Sequence, residues 1–315
     1  MTNHRFVAAG LSSLVIASLA LTGCGSRTDS GAAATTNKVA KIAVIAPLTG
    51  DLSVMGLGIK NSVDLAIKQA NSANAIPGWT LQLEAQDDQA TPDVGANAAT
   101  KVAADKSVVA VVGTLNSGVA QSVQPILNTN NITMVSPANT NPALTIGADA
   151  ANPKRTYANY FRVCTTDAVQ GPFAAQYVYT TLGLKSVAVV NDKKPYGQGL
   201  AEAFAKEFAK LGGTVVAKEQ YATGDTDFKA QLTKIKGAGP ELLFLSGYHP
   251  EGSKIAQQAR EIGLDVQMLG SDGYASDELP KIGGAAVEGM LVSTFFDYSK
   301  DDPAVQKFVA AYQAK

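Results

Sequence analysis

Two short stretches of this sequence present neutral hydrogen-bonding groups next to one another. G-T-L-N-S-G, residues 113–118, offers a hydroxyl at Ser117 directly after the apolar run 108–112. S-P-A-N-T-N-P, residues 136–142, offers backbone groups at Ala138 and a hydroxyl at Thr140. Both lie close to expected helix starts, where unpaired backbone N–H groups stabilise a carboxylate. Further along, N-D-K-K-P-Y-G brings Tyr196, L-S-G-Y brings Tyr248 and G-S-D-G brings Asp272, which adds two aromatic walls and one anion. The whole set is complementary to a small zwitterion.

Other chemistries fit these residues less well. A nucleophilic Ser117 would need a base, and beyond the N-terminal segment the only histidine is His249, while Ser117 lacks the G-x-S-x-G elbow of the α/β-hydrolases. G-L-G-I-K-N at 56–61 and G-Q-G-L-A-E at 197–202 approach a phosphate-binding turn, but neither completes G-x-G-x-x-G. Glycines there read instead as close-packing positions. One free cysteine and one histidine cannot build the common zinc sites, so neither a metal nor a cofactor is expected. Lys plus Arg number 26 against 27 Asp plus Glu, without a basic, aromatic-interleaved run, which argues against a nucleic-acid partner.

The elements that must position these groups are legible as alternating patterns. Short apolar runs at 41–46, 81–86, 108–112, 133–135, 187–190, 215–219, 242–245, 267–269 and 290–293 read as buried parallel strands. Helical spacing fills the intervals: Ile59, Val63, Ile67 and Ala70 share a face, and Thr91-Pro92 and Asp302-Pro303 are start signals. At 315 residues, 46% of them hydrophobic, the chain can hold two such α/β series. Loops at the carboxyl ends of parallel strands would then face each other across a cleft.

The N-terminus reads separately. Residues 1–23, with His4 and Arg5 ahead of a small-residue-rich apolar segment, have the form of a secretory signal. L-T-G-C, residues 21–24, resembles the lipobox of bacterial lipoproteins, in which the cysteine becomes the lipid-modified first residue. Residues 24–38 then form a polar tether. Cleavage leaves 25 basic against 27 acidic residues, a formal charge of −2, and Cys164 as a lone thiol expected to be buried as a small apolar residue.

In order along the chain, P-L-T-G-D (47–51), D-D-Q (87–89), S-P-A-N-T-N-P-A-L (136–144), Q-G-P (170–172), Y-G-Q-G (196–199) and E-G-M-L-V (288–292) carry a family likeness. The sequence resembles the branched-chain amino acid (leucine/isoleucine/valine-type) binding proteins of ABC importers, type I periplasmic binding proteins, in lipoprotein form. That resemblance implies an α/β fold of two Rossmann-like lobes joined by three hinge crossings, with lobe 1 at 39–159 plus 291–315 and lobe 2 at 160–290. It implies that Ser117, the Ala138 backbone and Thr140 hold a ligand carboxylate. Asp167 and Asp272 would lie near the ammonium group, and Tyr196 and Tyr248 would close the cleft.

The implied protein is a monomer anchored outside the cytoplasm through acylated Cys24. It performs no catalysis, takes a small amino acid, and hands it to an ABC permease. There are departures: some leucine-binding members carry glutamate in place of Asp272 and an aromatic near Met55, and other relatives take amides or aromatic acids. The chain also stops inside the helix begun at Pro303, where family members continue, which implies a shortened first lobe. A ligand-sensing receptor on the same fold and a secreted hydrolase using Ser117 are the alternatives.

Overall fold

The computed structural model describes residues 38–149, 151–295 and 302–314. The expected signal segment, Cys24 and the tether lie outside the described residues, apart from Lys38, which already opens the first strand.

The chain alternates strand and helix from that point. β1 (Lys38–Ala46) is followed by α1 (Ser53–Ser72), β2 (Trp79–Asp87), α2 (Pro92–Ala104), β3 (Val108–Gly113), α3 (Ser117–Thr129), β4 (Thr133–Ser136), α4 (Ala143–Ile146) and β5 (Tyr160–Arg162). These strands form one sheet in the order β2-β1-β3-β4-β5 with every neighbouring pair parallel. After α5 (Asp167–Gln176) come β6 (Ser186–Asn191), α6 (Pro195–Lys210), β7 (Thr214–Gln220), α7 (Lys229–Ala238), β8 (Leu242–Ser246), α8 (His249–Glu261), β9 (Gln267–Gly270), α9 (Glu278–Gly283) and β10 (Leu291–Val292). They build a second parallel sheet, β10-β9-β8-β6-β7, and α10 (Pro303–Gln313) follows.

The start signals act as expected. Thr91 precedes α2 with Pro92 in its first turn, and the Asp302 carboxylate accepts the Ala304 N–H at 2.7 Å at the head of α10. Nine strands fall on the apolar runs seen in the sequence; β5 does not. It has three residues, and Phe161 is 46% exposed at the sheet edge, so no buried apolar run marks it. Its pairing carries residues 160–162 with the first sheet, and β10 carries 291–292 with the second, so sheet membership runs two or three residues past the expected lobe boundaries.

Each sheet packs its helices over a core of small and branched side chains. Ile45, Val111, Val123, Leu127 and Met134 are buried together in the first half, and Val190, Leu232, Leu243, Leu245 and Met268 in the second. A further cluster crosses between them. Leu52 after β1 and Leu115 after β3 are buried with Tyr196, Leu200, Phe204, Phe244 and Tyr248, and Phe204 stacks on Phe244 with centroids 4.1 Å apart. Cys164 is half-buried rather than buried: it lies just past edge strand β5, and its Sγ approaches the Asn139 carbonyl at 3.4 Å. Partial burial pushes its thiol up to about 11.

Candidate functional site

The loops after β3 and β4 are laced into one unit. The Asn139 side-chain amide donates to the Thr114 and Leu115 carbonyls at 2.9 and 3.0 Å, and Ser136 Oγ accepts the N–H groups of Asn139 and Ala138 at 2.8 and 3.2 Å. Arg162, brought beneath this loop by β5, donates to the carbonyls of Asn139 (2.6 Å) and Asn141 (3.0 Å) and to Thr145 Oγ1 (3.0 Å). Nothing in the sequence singled out Arg162, because its strand was not visible there.

Ser117 is the first residue of α3 and is buried, with its Oγ accepting the Asn141 N–H at 3.4 Å. That position gives it the unpaired amides of a helix start. The Ala138 N–H is turned back onto Ser136 Oγ. The Thr140 hydroxyl is buried without a hydrogen-bond partner, while its carbonyl accepts the Asp167 N–H at 2.9 Å.

The acid of the set is held from the other half. Asp272 follows β9, and its Oδ1 accepts both the Tyr196 hydroxyl and the Gln170 side-chain amide, the latter at 2.9 Å. Burial raises the Asp272 carboxyl above its ordinary range, and these two donors oppose the rise. Tyr196 comes from the first turn of α6, accepts the Gly273 N–H at 3.1 Å, and faces Tyr248 with ring centroids 5.2 Å apart at 46°. Tyr248 is placed by its position immediately before α8. Gly273 lets these approach, since a Cβ there would lie 2.2 Å from the Gly247 carbonyl oxygen and 2.9 Å from the Tyr248 ring.

Asp167 opens α5, 1% exposed, and no donor reaches either carboxyl oxygen in hydrogen-bond geometry. Burial pushes it up to about 7; the Asp272 charge adds to the rise, while the nearby Thr140 hydroxyl and Arg162 guanidinium oppose it. The halves touch here directly: the Asn141 side-chain amide donates to the Pro195 carbonyl at 2.6 Å.

Two cavities flank this arrangement. Ser117, Tyr196 and Tyr248 line one of about 520 Å³, together with the buried acids Asp192 and Glu251. Ala138 and Asp272 line the other, about 1140 Å³, whose walls include Met55, Ile59, Leu115, Val292 and Phe295. Thr140 and Asp167 line neither. Tyr196 links the two, lining the first and donating its hydroxyl to the acid that lines the second.

His249 opens α8 fully buried, both ring nitrogens without a partner, so no serine–histidine pair forms with Ser117. The two glycine near-motifs serve close approach: a Cβ at Gly56 would meet the Pro47 carbonyl at 1.9 Å, and one at Gly197 the Asp192 carboxyl at 2.3 Å. Among the described residues, no group of three or more His, Cys, Asp or Glu could hold a metal, and no helix is long and apolar enough to cross a membrane.

Comparison with known proteins shows the family to which the chain is similar. The sequence model of the family described as "Periplasmic binding protein" matches residues 39–315. A Leu/Ile/Val-binding protein homolog of Brucella melitensis is 36% identical over 274 residues, 87% of this chain and 72% of that one. A leucine binding protein from Thermotoga maritima superposes with a TM-score of 0.79 at 33% identity, over 87% of this chain and 75% of that one. The branched-chain amino acid transporter substrate binding protein of Streptococcus pneumoniae, solved in complex with isoleucine, gives 0.79 at 28% identity, over 88% and 77% of the two chains.

Proposed function

Because the chain belongs to the periplasmic binding protein family, we propose that it captures a small apolar amino acid, branched-chain first among them, and delivers it to an ABC permease. The observation that carries this reading is the opposition of chemistries between the two halves. Neutral donors at Ser117 and Thr140 sit on the first, and a carboxylate held by Tyr196 sits on the second. In this reading the ligand carboxylate takes the α3 start and the Thr140 hydroxyl, with the Ala138 backbone beside them. The ammonium takes Asp272, with Asp167 behind it, and Tyr196 and Tyr248 cover the bound molecule. Closure follows from contacts that only a ligand touching both halves can make.

The hinged lobes are proposed to divide near residues 160 and 291. Family membership carries an extracytoplasmic location. We infer anchoring there through acylated Cys24, with the tether giving the folded part reach from the membrane. Calorimetric titration with the natural amino acids tests the main reading: saturable binding of leucine, isoleucine or valine is expected, and no heat with any of them overturns it. Cys24→Ser should release the protein in soluble form without fatty-acid label; equal label on both proteins rules the anchor out.

A further inference from the structure

Gln170 belongs to the Q-G-P stretch, for which neither the clamp nor the aromatic walls give a use. It is buried in the first turns of α5, 5% exposed, and its side-chain Nε2 has two acceptors: Asp272 Oδ1 at 2.9 Å and Ser293 Oγ at 2.8 Å. Ser293 follows β10 and is itself fixed to β9 through its N–H on the Gly270 carbonyl, 3.0 Å away. One amide therefore joins the start of α5, the acid after β9 and the chain leaving β10. Resting on the amino-acid reading above, we propose that Gln170 is a positioning residue: it fixes the Asp272 carboxylate so that its second oxygen is presented to a ligand ammonium.

Three observations support this. Both donors to Asp272 converge on Oδ1, so the oxygen left for a cation is Oδ2, and Asp272 lines the larger cavity. The residue type matters as well. A lysine or arginine at this place would orient Asp272 equally well but would neutralise it and compete with the ammonium, whereas an amide orients without cancelling charge. The Arg162 guanidinium, which acts on the neighbouring Asp167, is committed to Asn139, Asn141 and Thr145. The amide orientation is also forced: turned over, Gln170 would aim its own oxygen at a carboxylate. The structure accepts a buried, unpartnered Oε1 to keep Nε2 on Asp272.

The rest of the motif explains the precision. A Cβ at Gly171 would lie 2.7 Å from Ala203 Cβ and 2.8 Å from the Phe204 nitrogen, so glycine lets α5 lie directly against α6. Tyr196 starts α6. The two side chains that hold Asp272 thus project from one tightly packed helix pair, and their spacing is set by it.

The test is a titration of L-leucine and its des-amino analogue, 4-methylpentanoate, into the full chain and into Gln170→Leu, Asp272→Asn and the double variant. A positioning role predicts that Gln170→Leu weakens leucine at least tenfold, leaves 4-methylpentanoate within twofold, and adds less than threefold when Asp272 is already asparagine. Equal losses for both ligands, or losses that multiply in the double variant, overturn it and leave Gln170 a packing residue. If Gln170→Leu melts below the titration temperature, Gln170→Met, of closer volume and also without a donor, is measured against the same limits. A normal leucine affinity in Asp272→Asn would instead overturn the reading beneath it. Loss in Asp272→Asn with none in Gln170→Leu removes this inference alone.

Discussion

Asp272, half-buried, and Asp167, buried, are two acids with opposite surroundings: the first has two donors on one oxygen, the second has none on either. If Asp272 receives the ammonium, Asp272→Asn leaves a buried cation unmatched and should cost about 2 to 5 kcal/mol of binding, with little change in apo melting temperature. Isothermal titration checks the first part and a thermal melt the second. Asp167 makes a different prediction, about pH. Its folded carboxyl lies at about 7 against an ordinary 3.8, so between those values the folded chain binds more protons than the unfolded one. Stability from this group is therefore fully present below about pH 4 and lost as pH rises through 7. Asp88, at about 7, and Asp192, at about 6, add in the same direction, while His249, which burial keeps neutral, opposes them in acid. The apo protein should melt higher at pH 5.5 than at pH 8, and Asp167→Asn should exceed its parent at pH 8 by more than about 1 kcal/mol. A parent that loses stability from pH 8 to 5.5 would contradict this.

At the scale of elements, the site depends on how closely strand ends and helix starts approach. Gly273 sits where a Cβ would overlap the Gly247 carbonyl, so Gly273→Ala must move the turn after β9 away from α8. Overpacking of this kind costs about 1 to 3 kcal/mol, and the shift of Asp272 away from Tyr196 should weaken amino-acid binding more than tenfold. Denaturant melts and titration measure the two effects, and unchanged binding would detach this turn from the site. The same closeness explains what the sequence did and did not reveal. Nine strands were legible because each is an apolar run with turn residues after it, and Ser117, Tyr196, Tyr248 and Asp272 were legible because each follows such a run. β5 was not, being a three-residue edge strand, and with it went Arg162, which holds the Asn139–Asn141 loop from below. Gln170 was visible only as part of a family-like motif, since its partners lie 102 and 123 residues away in the chain.

Over the whole molecule, the two parallel sheets are joined by more than chain crossings. Leu52 and Leu115, from loops of the first sheet, are buried in the same cluster as Tyr196, Leu200, Phe204 and Tyr248 of the second, with Met55 and Ala138 packed against it. Drawing the halves apart would therefore wet apolar surface, and that gives the motion a thermal signature. Apolar hydration carries a large positive heat capacity and its penalty shrinks on cooling. The separated arrangement should become more populated in the cold, with a curved temperature dependence rather than a straight one, well above any cold unfolding. Distance measurements between spin labels on exposed Lys101 of α2 and Lys206 of α6, taken from 5 to 35 °C without ligand, would show longer separations at the low end. An amino acid bridging the cleft should flatten that curve, so the same leucines that make a core also set how strongly the empty protein responds to temperature.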